Sequence, residues 1–181
     1  EDIVGLPSRE IIRKGIGRAF QVAKLFKTLT VEESLRGALQ SPLGKSAQMQ
    51  GRFPLAQTRD RAMEVMEQLG LQHKADVVSG NLSHGDQKLL DIALALVLKP
   101  KVLLLDEPVA GMNDVEANEM GVIFKQLAAE GMAVLLIEHN MRFVTRLCEY
   151  VYVLDGGRLI SEGEPKKVIA DPAVIAAYLG T

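Results

Sequence analysis

A chain of 181 residues is long enough for one compact domain and too short for two comfortable ones. Hydrophobic residues make up 48% and charged residues 24%, the balance of an ordinary globular protein, and a net charge of −2 gives no electrostatic reason to expect nucleic acid as a partner. Cys148 is the single cysteine, which excludes an internal disulfide framework, and no stretch approaches the roughly 18 continuous apolar residues of a bilayer span.

In chain order, Ser8 is placed to cap a short helix over Arg9 to Lys14 that Gly15 ends. Ile16 to Phe20 reads as a short strand. Thr30-Val31-Glu32-Glu33 is a capping box, because the Thr hydroxyl and the Glu carboxylate can each satisfy a free backbone N–H; it opens a helix to about Leu39. Ser41 to Gln57 is polar and carries Gly and Pro, hence a loop. A helix then starts at Thr58, with Ala62, Val65, Met66 and Leu69 on one apolar stripe and Gly70 as its stop. Ser83 to Lys99 reads as a helix that is apolar nearly all round in its later turns, so it is expected to be buried; Lys99-Pro100 ends it. Val102 to Leu105 is an apolar run too short for a helix, the mark of a strand covered on both faces. Asn113 to Ala129 is an amphipathic helix with Met120, Ile123 and Leu127 inward. Ala133 to Ile137 reads as a second buried strand, Met141 to Leu147 as a helix and Val151 to Leu154 as a strand. Asp155-Gly156-Gly157 turns into Arg158 to Ser161, a hairpin. Short helices follow at Pro165 to Ala170 and Pro172 to Leu179.

Alternating strands and helices imply an α/β fold with a mainly parallel sheet flanked by helices. The expected organisation is one domain over 1–181, with a helical subdomain at about 25–80 beside a core of 1–24 and 81–181. Ligands of a parallel sheet bind beyond the carboxyl ends of its strands. Asp106 and Glu107 end one strand; Glu138 and His139 end the next, which returns through one crossover and points the same way. Gln21 joins them if the strand before it is also parallel. Three histidines and one cysteine at these separations make no zinc site; His73 is expected to be exposed and Cys148 to pack in the core.

The runs Leu82-Ser83-His84-Gly85-Asp86-Gln87, Leu103-Leu104-Leu105-Asp106-Glu107-Pro108 and Ile137-Glu138-His139 resemble, in order and spacing, the signature, Walker B and switch-histidine motifs of ABC transporter ATPases. Gln21 sits like that family's glutamine of the Q-loop. The resemblance implies a P-loop NTPase fold, ATP and Mg²⁺ as cofactors, and transport-coupled ATP hydrolysis. Asp106 would hold Mg²⁺, since a hard cation takes carboxylate oxygen, with Gln21 sensing metal and water and linking the site to the membrane part. Glu107 would be the general base on the attacking water, and His139 would contact the γ-phosphate. Leu82, Ser83, His84, Gly85 and Asp86 start a helix whose free N–H groups favour a phosphate; in the family this signature faces the nucleotide of a second ATPase subunit, as does the loop holding Asn113. Ser83 with Asp86 is also a capping-box arrangement, which the company of the other motifs outweighs; Asn113 with Glu116 is equally readable as a helix cap alone. His84 replaces the usual glycine of the signature core and Asp86 its closing glutamine. The signature, the run Asp106 to Asn113 and the ending Ala177-Tyr178-Leu179-Gly180 are similar to the branch importing branched-chain amino acids, or its urea and amide relatives.

Gly44-Lys45-Ser46 ends like a phosphate-binding Walker A loop, but the first glycine of that motif would fall at Leu39 and no apolar strand leads in. In the family that loop lies upstream of the Q-loop, in a stretch that would precede Glu1. The chain is therefore expected to be the C-terminal three quarters of the domain and inactive by itself. Glu1-Asp2-Ile3-Val4 shows no secretory pattern, so the expected location is cytoplasmic, on the inner face of the membrane through permease subunits, with no direct insertion and no nucleic acid. Two other functions fit less well. A chromosome-maintenance ATPase would place a long coiled coil between Gln21 and Ser83, where no sustained heptad is found. A non-catalytic regulatory piece of the same fold would keep the catalytic-looking residues without the phosphate loop.

Overall fold

The computed structural model describes residues 2–21, 23–40 and 55–179, so Gly44-Lys45-Ser46 lies outside the described residues. The chain divides into two compact units, Glu1–Ile137 and Glu138–Thr181, each with its own sheet.

In the first unit, α1 (Ser8–Arg13) leads into β1 (Ile16–Ala19). Pro7 rather than Ser8 occupies the N-cap of α1, and no side chain caps it; the fixed φ of proline presets the turn, and the helix starts at Ser8 itself. Gly15, at φ 89, donates its N–H to Ile12 and stops the helix as expected. Parallel strands in the order β1-β2-β3 form the sheet, with β2 (Val102–Asp106) central and β3 (Ala133–Ile137) beside it. Ala19 pairs with Leu105, and Asp106 with Ile137, so the three strands end level. Leu103 and Leu105 are buried, but β3 is not the covered strand its sequence suggests: Leu135 is 57% and Ile137 64% exposed. The apolar run reports strand propensity faithfully; which face receives a neighbour is decided by packing, and α5 (Asp114–Ala129) covers the other one.

Helix α4 (His84–Leu96) lies against β1. A Cβ on Gly17 would stand 3.2 Å from the Pro100 side chain and 3.3 Å from that of Ala95, so glycine fits this close approach without displacing either neighbour. The helical arm, α2 (Val31–Gln40) and α3 (Leu55–Gln68), packs on α4. The Thr30–Glu33 capping box forms, with N···O distances of 2.9 and 3.2 Å. Helix α3 begins three residues before the expected Thr58. Its stripe of Ala62, Val65, Met66 and Leu69 is buried. Arg61 donates to the carbonyls of Leu96 (2.7 Å) and Val97 (3.3 Å), closing the C-terminus of α4 from the arm.

The second unit opens with α6 (Met141–Leu147), capped by Asn140, then the hairpin of β4 (Val151–Asp155) and β5 (Arg158–Gly163), α7 (Pro165–Val168) and α8 (Pro172–Leu179). Val153, Val168 and Val174 form its core with Met141, Val151 and Ile160. Cys148 is half-buried at the end of α6, and burial pushes its thiol above the ordinary value.

Candidate functional site

The level ends of β1 and β2 bring Arg18, Gln21, Asp106 and Glu107 together. Arg18 Nη2 lies 3.2 Å from Asp106 Oδ2, and Gln21 Nε2 donates to Glu107 Oε2 at 2.7 Å. The glutamine and the acid that follows β2 are thus in direct contact, across 86 positions of sequence. Glu107 takes φ 46, left-handed backbone that a side chain normally avoids, and its N–H extends the ladder by donating to the Ile137 carbonyl at 2.9 Å. Such conformations cost on the order of 1–3 kcal/mol and cluster at functional sites. Arg18 and Lys24 each place their charge over the Phe20 ring, 4.9 Å from its centre.

A second polar group starts α4. Ser83 is the N-cap: its Oγ accepts from the Asp86 N–H at 3.2 Å and donates to Asp86 Oδ2 at 2.5 Å. Lys74, from a 3₁₀ turn of the arm, also bonds Asp86 Oδ2 at 2.5 Å. Burial raises the Asp86 carboxyl, but the hydrogen bonds from Lys74 and Ser83 outweigh it and hold it below the ordinary aspartate value. The His84 ring rests on the loop after β2, with Nε2 3.6 Å from where a Cβ of Gly111 would be. Leu82 is buried and Gly85 half-buried. Asn113 and Glu116 complete a full capping box on α5, with bonds of 2.9 to 3.0 Å.

In the second unit, Glu138 accepts the N–H groups of His139 (3.2 Å) and Asn140 (3.4 Å), a local role at the entry to α6. His139 is exposed, and so is His73 in the first unit.

The chain matches the ABC transporter family over residues 1–110. It is 35% identical to the high-affinity branched-chain amino acid transport ATP-binding protein LivG of Salmonella typhimurium, over 97% of this chain and 72% of that protein. The chain belongs to the ABC transporter ATP-binding family. The lipopolysaccharide export system ATP-binding protein LptB of Escherichia coli is 36% identical, over 99% of this chain and 71% of that one. Among solved structures, MJ1267, an ATP-binding cassette of an ABC transporter, superposes with a TM-score of 0.85 at 33% identity, covering 99% of this chain and 74% of that one. Its ADP conformation superposes with a TM-score of 0.83 at 31% identity. Residues 158–181 match the branched-chain amino acid ATP-binding cassette transporter family. The complete subunit is therefore an ATPase of an ABC transporter, on the α/β fold with a parallel sheet that the sequence implied. No helix among the described residues is long and apolar enough to cross a membrane.

The strand-end donors fit the magnesium ion that such an ATPase uses. They are carboxylates and an amide, hard oxygen ligands, and the Arg18 guanidinium already shows that Asp106 accepts a positive charge there. Among the described residues no group of three or more His, Cys, Asp and Glu could hold a metal ion. Sequence reading missed Arg18, Lys74, Lys88 and Asp91. Lys88 and Asp91 had a legible signal: they are the charges in the part of α4 that follows its polar first turn and is otherwise apolar. Arg18 and Lys74 had none, because their partners are set only by the tertiary fold.

Proposed function

We propose that this chain serves an importer of branched-chain amino acids or related small polar solutes, as part of the subunit that hydrolyses ATP on the inner face of the membrane. The observation that carries the cargo reading is the match of residues 158–181 to the branched-chain amino acid cassette family. Identity along the whole chain does not discriminate, since it is as high to an export ATPase as to an import one.

In this reading Glu107 takes the proton of the attacking water as general base, and the Gln21 amide, 2.7 Å away, orients its carboxylate. Asp106 and Gln21 would hold Mg²⁺, which would supply charge neutralisation at the phosphates; Arg18 pairs with the same Asp106 carboxylate. His139 contacts the γ-phosphate. Leu82, Ser83, His84, Gly85 and Asp86 at the start of α4, with Asn113, face the ATP of a second ATPase subunit, the same chain or a homologue. Transmembrane permease subunits are the other partners; nucleic acid and direct insertion into the bilayer have no part. Residues 1–181 contain no G-x-x-x-x-G-K-[ST] run, whose backbone N–H groups and lysine hold the β- and γ-phosphates. The 181 residues by themselves therefore bind Mg-ATP weakly and release no phosphate. Calorimetry with Mg-ATP checks this, and micromolar affinity with phosphate release would refute it. For the cargo, cells deleted for this gene should lose high-affinity uptake of labelled leucine and regain it with the complete gene. Intact leucine uptake together with a defect in an exported glycolipid would favour the export reading instead.

A further inference from the structure

Helix α4 carries two charged side chains that this mechanism does not use. Lys88 is 3% and Asp91 6% exposed. Taking either charge out of water is costly unless its hydrogen bonds are met. One turn apart on the helix, they reach the same place. Lys88 Nζ donates to the Gln21 carbonyl and, at 3.3 Å, to the Glu107 carbonyl. Asp91 Oδ2 accepts the Phe20 N–H at 2.7 Å, and its carboxylate also takes the Lys24 N–H. Every one of these contacts is to backbone. Three fall on the loop after β1 and one on the residue after β2.

The geometry follows from the register. Ala19 pairs with Leu105, so the two strands leave the sheet side by side, with Gln21 and Glu107 emerging together. The ammonium group, with three donors, bridges the two exits from beneath. It bonds the carbonyl of Glu107, whose N–H is held by Ile137, so the flanking peptide groups of this left-handed residue are both fixed. A strained conformation persists only where its surroundings over-determine it.

We propose that Lys88 and Asp91 are positioning residues that tie the signature helix to the Gln21 loop and the Glu107 backbone, so that a displacement of α4 is passed to the Gln21–Glu107 pair. Because the contacts are to backbone, the coupling acts on where these side chains stand and not on their chemistry. The proposal rests on the reading of Glu107 as base. Misplacement of a reacting group by about 1 Å costs on the order of 10²-fold in rate, which sets the expected scale.

The test uses the complete subunit, assembled with its transporter. Lys88→Met should lower kcat by about 10²-fold with little change in KM for ATP. In a Gln21→Ala background the same substitution should cost far less, because both act on one unit. Asp91→Asn is nearly isosteric and serves where Lys88→Met fails to fold; it should lower kcat about tenfold and speed amide exchange at Phe20 and Lys24. Losses of kcat that multiply freely with Gln21→Ala, or an Asp91→Asn variant with unchanged turnover and unchanged exchange, would overturn the proposal. The Glu107 reading fails separately: if Glu107→Gln turns over normally, the base lies elsewhere, and exchange at Phe20 and Lys24 still judges the tie between α4 and the loop.

Discussion

At the ends of β1 and β2, the acids Asp106 and Glu107 meet Arg18 and Gln21, side chains brought from more than 80 positions away. At the start of α4, Asp86 meets Ser83 and Lys74, both within 12 positions. The first group is open: the Arg18 side chain is 54% and that of Asp106 28% exposed. The second is more enclosed, with Lys74 at 29% and Asp86 at 16%. An exposed ion pair contributes only about 0–1 kcal/mol, so the strand-end bonds can be exchanged for a cation at little cost. Asp86 is held by two donors at once and has far more to lose. Two groups built from similar residues therefore differ in what they can do: one can exchange its partners at little cost, the other fixes the geometry of a helix start.

The sharpest break in that comparison is made at Glu107. In the complete subunit, Glu107→Gln should slow hydrolysis by about 10²–10⁴-fold while sparing ATP binding, because the amide is near-isosteric and removes a negative charge beside the phosphates. Fold stability should hardly move. Single-turnover phosphate release measures the first and urea unfolding the second. Unchanged turnover would shift the base elsewhere, with Glu138 the first candidate.

Asp86→Ala should do the reverse to stability. Losing the bonds from Ser83 and Lys74 should cost about 1–2 kcal/mol, discounted for partial exposure. The acid side gives the finer measurement. The folded Asp86 carboxyl lies below its unfolded value of about 3.9, so its contribution is fully present above that pH and is lost as pH falls through the folded value. Asp91 has the opposite sign: burial raises its carboxyl, despite the Phe20 and Lys24 N–H groups, so it costs stability as pH rises from the unfolded towards the folded value. Urea midpoints between pH 3 and 6 should thus show a shallower acid loss in Asp86→Ala. An unaltered acid slope would place the two groups in one class after all.

Much of this was legible before any coordinates. The run Val102 to Leu105 was legible as a strand, because a fully apolar stretch too short for a helix and bounded by charge has few other uses, and it forms β2. The Thr30–Glu33 and Asn113–Glu116 boxes were readable because a cap is a local chemical fact. What stayed hidden depends on tertiary contact. The partner of Asp106 is an arginine inside β1, and nothing in Gly17-Arg18-Ala19 says which acid it meets. Exposure of Leu135 and Ile137 was equally unreadable, since apolar composition states what a strand prefers and not what lies over it. Ser8 looked like a cap, yet the helix takes it in and starts one residue earlier.

The left-handed backbone of Glu107 has a consequence for how this protein changes over generations. Glycine or asparagine would rest at φ 46 with less strain than glutamate does. A population selected for heat survival alone would drift towards those residues at this position, gaining robustness and losing the acid. On the reading of Glu107 as general base, glutamate would endure there only while turnover is under selection.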